Sequence, residues 1–209
     1  MTATEIDLAT WDRAENFRFF RTFAQPHFAI TARVDVTALM ASRTANGTNI
    51  FRGCLWALGA GLNASPDLRT RFRGDVVTQF DRINVSPVVS MPDGSFRFAY
   101  IPWDPDWPTF DVRADAIIAD IRAGTGLNPD ESATDAVGYL SAVPWVDFTS
   151  LANAMPGPDD PIPRVAWGKI VPKGDGYDMA ACVELHHAIA DGRHAGQFFD
   201  ATQTALSQF

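Results

Sequence analysis

Cysteine is nearly absent from the 209-residue chain, which has two, Cys54 and Cys182, each in apolar surroundings and neither in a CxxC or zinc-type spacing. That scarcity rules out a cysteine-rich disulfide framework and reads best as two buried free thiols in a reducing compartment, with one bridge between them as the alternative. Surplus positive charge is missing too. Lysine plus arginine total 17 against 25 aspartate plus glutamate, a net charge of −8 without a basic cluster, so nucleic acid and anionic membrane are poor partners. No uninterrupted apolar run approaches the ~20 residues of a bilayer span. Met1-Thr2-Ala3-Thr4-Glu5-Ile6-Asp7 shows neither the basic nor the apolar region of a signal peptide. A soluble, cytoplasmic protein is the expectation. Repeats, charge blocks and low-complexity linkers are absent as well. With 46% apolar and 20% charged residues, the chain has the material for one full core, and the reading is a single domain over residues 1–209.

What is present alternates between strand and helix periods. Phe28, Ile30, Ala32, Val34 and Val36 alternate with polar residues, predicting a strand with one buried face. A short helix follows from Thr37 and stops near Asn46-Gly47. Asn49 then caps a nearly all-apolar helix from Ile50 through Leu62, expected to be buried and to end before Ser65-Pro66. Residues 78–91 alternate as a second strand, and Pro92-Asp93-Gly94-Ser95 turns into a third through Phe96, Phe98 and Tyr100. Residues 102–108, with three prolines and two tryptophans, read as an ordered linker. Phe110, Ala114, Ile117, Ile118 and Ile121 fall on one helical face, closed by Gly124-Thr125-Gly126. Residues 138–147 read as a strand interrupted by Pro144, and residues 156–163 as a proline-rich loop. Residues 164–171 and 177–185 read as two strands joined by Pro172-Lys173-Gly174-Asp175-Gly176, and residues 192–207 as a closing helix. The fold class is α+β, a mixed sheet packed with helices.

Three of the four histidines sit in Leu185-His186-His187-Ala188-Ile189-Ala190-Asp191-Gly192-Arg193-His194, after an apolar run that ends a strand. Three chemistries fit. A histidine at a cleft edge is a general base near neutral pH with little tuning, and His187 is placed for that. His187, Asp191 and His194 at i, i+4 and i+7 would serve a metal if one helix carried them, but Gly192 interrupts it and no HExxH pattern is present. Ordinary structural histidines are the third reading, the commoner one on residue type alone. Asp191 orients a histidine ring or is held by a cation elsewhere; spacing does not choose.

His186-His187-x-x-x-Asp191-Gly192 matches the HHxxxDG signature of the chloramphenicol acetyltransferase superfamily, which also holds dihydrolipoyl acyltransferase cores and condensation domains. Trp11-x-Arg13-x-x-x-Phe17, Asn63-Ala64-Ser65-Pro66-Asp67-Leu68-Arg69 and Ser141-Ala142-Val143-Pro144-Trp145-Val146-Asp147-Phe148-Thr149-Ser150 resemble three further segments of the chloramphenicol acetyltransferases, in the family's order. The resemblance implies a two-layer α+β fold and acetyl-CoA as co-substrate, with no metal. It implies that His187 is the base for direct acetyl transfer to an acceptor hydroxyl, chloramphenicol or another small alcohol, without an acyl-enzyme. Ser141 then donates to the oxyanion, a contact worth roughly 3 kcal/mol. Arg13 and Asp191 form a buried ion pair, which costs about 3–5 kcal/mol to break from one side. The resemblance further implies a homotrimer with sites between subunits, so that one chain holds only part of each.

The chain departs from the family at the pocket. Ala166 stands where the family has a threonine that helps order a water. Leu151-Ala152-Asn153-Ala154-Met155 is less bulky than the family's antibiotic-lining segment. Phe20 replaces a tyrosine, while Phe19 and Phe28 keep aromatic character as tentative substrate contacts. Two alternatives therefore stand beside an O-acetyltransferase: a non-catalytic or altered-specificity member binding another ligand, and an acyltransferase working on a lipoyl or carrier-protein thiol. Retention of Arg13, Ser141, His187 and Asp191 opposes the first, and the lack of a lipoyl domain or linker opposes the second.

Overall fold

The computed structural model describes residues 2–124 and 135–209. In chain order the elements are β1 (Ala3–Glu5), α1 (Ala14–Phe20), β2 (His27–Asp35), α2 (Thr37–Asn46), α3 (Ile50–Leu62), β3 (Thr70–Arg73), β4 (Val76–Phe80), β5 (Asn84–Ser90), β6 (Phe96–Phe98), α4 (Trp107–Arg122), β7 (Val137–Ala142), β8 (Arg164–Lys173), β9 (Gly176–His186) and α5 (Gly192–Leu206). Six strands form one mixed sheet in the order β2-β9-β8-β7-β5-β6, parallel between β5 and β7 and between β7 and β8 and antiparallel elsewhere. A second sheet, β1-β4-β3, stands apart.

Helices α2 to α5 cover one face of the large sheet. Leu55, Leu58 and Leu62 of α3 and Phe198 of α5 pack there against Val85, Leu140, Val165, Val183 and Leu185 in the main core. The apolar circumference of α3 explains its burial: it lies between the sheet, α4 and α5, and residues Gly53–Gly59, Gly61 and Leu62 are buried. Asn49 caps it, its side chain accepting from the Arg52 amide at 3.1 Å, and α2 stops at Gly47, whose φ of 72° suits glycine. Close approach of α3 to α5 depends on Gly61, where a Cβ would lie 2.8 Å from the Phe198 carbonyl. The opposite sheet face carries a smaller apolar cluster of Phe148, Ala166, Ala180 and Cys182. Both cysteines are buried and free.

The structure corrects several expectations. Residues 78–91 are not one strand, because the chain bends at residues 81–83 and passes from β4 in the small sheet to β5 in the large one. Alternation persists through the bend since both strands have one buried face. The third strand stops at Phe98, and Ile101 makes only a bridge to Val85. The strand expected over residues 138–147 ends at Ala142 as β7. The linker at residues 102–108 gives way at Asp106, which caps α4 by accepting from the Thr109 amide. That helix closes near Gly124, with a φ of 80°; the rest of the Gly124-Thr125-Gly126 stop lies outside the described residues. Strands β1 and β3 were not expected. In β3, Arg71 is fully buried, donating to the carbonyls of Leu68, Thr70, Asp135 and Val137.

Candidate active site

Strand β9, which lies between β2 and β8, delivers the histidine pair at its C-terminal end. Register sets His186 opposite His27 of β2, and the His187 amide donates to the Pro26 carbonyl at 2.9 Å. The two neighbours then part, because successive strand side chains face opposite ways. His186 is buried; its Nε2 donates to the Pro158 carbonyl at 2.8 Å and its Nδ1 accepts from the Ala188 amide at 3.1 Å. Burial pushes its pKa down to about 4, only partly offset by the Pro158 carbonyl, so it is a neutral imidazole with both nitrogens used.

His187 is half-buried and held by rings. Phe20 stacks on it at 3.9 Å and 6°, and Phe28 lies at 4.8 Å and 45°. Its Nδ1 is buried without a hydrogen-bond partner. Nε2 is therefore the nitrogen left to reach a substrate proton. Of the aromatic residues singled out in the sequence, Phe20 and Phe28 touch His187, whereas Phe19 is 59% exposed and contacts Phe20 and Phe23 instead.

Asp191 is occupied elsewhere. It caps α5, accepting from the Arg193 amide at 3.0 Å, and its Oδ2 accepts from Arg13 Nη1 at 2.8 Å. Burial works against its charge, but Arg13, His194 and the Arg193 amide outweigh it and hold its pKa at about 2. His194, 1% exposed, accepts from the Asp191 amide at Nδ1 and reaches Asp67 with Nε2 at 3.3 Å. Sequence reasoning grouped His194 with Asp191 only in the metal alternative and assigned Asp67 no part in this cluster, although Asp67 lies in a segment already singled out. No group of three or more His, Cys, Asp or Glu able to hold a metal occurs among the described residues.

Ser141 lies near the end of β7, on the sheet face away from the helices. It borders a cavity of about 610 Å3 with Val88, Phe98, Tyr139, Met155 and Arg164. Ala166 is its direct partner on β8, so no hydroxyl accompanies it there. Ala166 in turn pairs with Cys182 of β9, and His187 lies five residues beyond Cys182. Two strand steps of about 4.8 Å and five residues of about 3.4 Å separate Ser141 from His187 by roughly 20 Å. Within one chain the two do not meet. Sequence reasoning missed Tyr139 and Arg164 in the cavity wall and Glu184 behind it; the available signal for Glu184 was an acid following the apolar stretch Met179–Val183.

Comparison with known proteins converges on this arrangement. The family model described as chloramphenicol acetyltransferase matches residues 1–203. Chloramphenicol acetyltransferase 2 of Escherichia coli is 27% identical over 205 residues, covering 97% of this chain and 96% of its own. The chloramphenicol acetyltransferase of Streptomyces acrimycini is 28% identical over 210 residues, covering 99% and 95%. A solved chloramphenicol acetyltransferase structure superposes with a TM-score of 0.90 at 26% identity, covering 98% of this chain and all of that one. With sheet order, histidine pair and family match in agreement, the chain belongs to the chloramphenicol acetyltransferase family and is an acyltransferase.

Proposed function

We propose that the protein is a single-domain, cytoplasmic, acetyl-CoA-dependent O-acetyltransferase acting on a small hydroxylated acceptor, with chloramphenicol the first to test. His187 Nε2 takes the proton from the acceptor hydroxyl. The oxygen attacks the thioester carbonyl directly, Ser141 donates to the resulting oxyanion, and the C–S bond breaks as the imidazolium returns its proton to the CoA sulfur. Arg13 and Asp191 keep the loop between β9 and α5 in shape and take no part in proton transfer.

The observation that carries this reading is the setting of His187. Its ring is clamped by Phe20 and Phe28, its Nδ1 is buried, and the only nearby motif carboxylate is engaged by Arg13. A histidine held this way is a base oriented by packing and not by a triad. The separation of Ser141 from His187 supports a site shared between subunits, with the base of one facing the cavity of the next; the resemblance implies that this assembly is a homotrimer. A second reading, an altered acceptor, is favoured by Tyr139 and Arg164 in the cavity wall, where Arg164 pairs with Asp160 at 2.6 Å. The test is release of CoA from acetyl-CoA against chloramphenicol and a panel of other alcohols. Turnover that vanishes in His187→Ala supports the reading; unchanged turnover in that variant overturns it.

A further inference from the structure

Residues 151–158 have no regular secondary structure, yet Asn153 to Pro156 form one wall of the cavity that contains Ser141. A segment without a backbone ladder needs side chains to hold it. Strand β9 supplies them at three alternate positions on one face. Cys182 Sγ donates to the Leu151 carbonyl at 3.3 Å. Glu184 Oε2 accepts from both the Asn153 amide at 2.8 Å and Asn153 Nδ2 at 3.0 Å. His186 Nε2 donates to the Pro158 carbonyl at 2.8 Å. The middle fastener is the strongest, since hydrogen bonds to a charged group contribute more than neutral ones. Glu184 is only 7% exposed and does not line the cavity itself.

We propose that Glu184 is a positioning residue that sets acceptor affinity: through its two bonds to Asn153 it fixes the wall formed by Asn153, Ala154 and Met155 against the Ser141 cavity. This rests on the acetyltransferase reading of that cavity. Both bonds end on one oxygen, so a glutamine, whose carbonyl oxygen can accept both, keeps them in weaker, neutral form, whereas alanine releases the wall. Glu184 does not touch the reacting atoms, and its loss acts on acceptor binding and not on the proton transfer at His187.

The experiment compares Glu184→Ala and Glu184→Gln with the unsubstituted protein, using chloramphenicol and the alcohol panel as acceptors and amide hydrogen exchange as a readout independent of activity. In Glu184→Ala the acceptor KM rises about tenfold, the size of one lost net charged hydrogen bond. The KM for acetyl-CoA holds, and the amides of residues 153–155 exchange faster. Glu184→Gln recovers most of both. Equal damage in the two variants, a fall in kcat at unchanged acceptor KM, or unchanged exchange at residues 153–155 in Glu184→Ala overturns the proposal. If the unsubstituted protein acetylates no alcohol, the acetyltransferase reading fails separately, and the exchange measurement still decides whether Glu184 holds the wall.

Discussion

Arg13 and Asp191, 178 residues apart in sequence, meet at 2.8 Å and join the first helix to the cap of the last. Arg13 is 8% exposed, and its Nε and Nη2 have no hydrogen-bond partner. Asp191 is thus the main compensation for a nearly buried cation. Asp191→Asn should destabilise the protein by up to about 3 kcal/mol, a figure reduced from the buried-pair range because the carboxylate side chain is 35% exposed. Thermal unfolding at neutral pH is the measurement.

The same pair gives an acid limb. Asp191 has a folded pKa of about 2 against an ordinary 3.8, held down by Arg13 despite burial, and Asp67 is also lowered, with His194 and Arg13 outweighing its burial. A depressed carboxyl contributes stability that is complete above its unfolded pKa and is lost as pH falls through the folded one. Unfolding midpoints should therefore drop between about pH 4 and pH 2. In Asp191→Asn that drop should be shallower.

Ser141→Ala should lower kcat by about 10²- to 10³-fold, as for removal of one oxyanion donor, with acceptor KM little changed. Steady-state CoA release checks both values. A fall in KM-governed binding alone would assign Ser141 to the pocket and not to the oxyanion.

The distance between Ser141 and His187 makes a prediction about assembly. Two impaired variants, His187→Ala and Ser141→Ala, should regain activity beyond either alone when unfolded and refolded together, because a subunit with intact Ser141 can face a neighbour with intact His187. Mixtures that stay as impaired as their components would place both residues of a working site in one chain and contradict the trimer reading.

Phe20→Leu removes the parallel ring from His187 while keeping volume in the cluster with Phe19 and Phe23. A ring stack contributes about 0.5–1.5 kcal/mol, so kcat should fall several-fold, up to about tenfold. Phe20→Tyr keeps the stack and should keep the rate. The pH profile of kcat separates an effect on the imidazole from a loss of fold.

Much of the fold was legible because α3, α4 and β9 each follow one period with a marked stop: Asn49 before α3, Gly124 after α4, Gly174 between β8 and β9. The break between β4 and β5 was not, since alternation reports which face is buried and not which sheet a strand joins. Strand β3 was hidden by its arginines; Arg71 is buried because four backbone carbonyls surround it, two local (Leu68 and Thr70) and two from the distant segment at Asp135 and Val137. For the site, residue spacing left His187 and Asp191 with open roles, and the contacts of Phe20 and Arg13 decide their surroundings. That Ser141 stands roughly 20 Å from His187 depends on strand order, which no local pattern encodes.

One strand, β9, carries both the fasteners of the cavity wall, at Cys182, Glu184 and His186, and the histidine that follows them. A one-residue slip of that strand would turn the fasteners to the helix face and move His187 off Phe20 together. Changes of acceptor therefore have a narrow safe route: through Ala154 and Met155, which border the cavity but hold nothing, leaving β9 untouched. Sequence drift in this lineage should concentrate at those wall positions while β9 stays fixed.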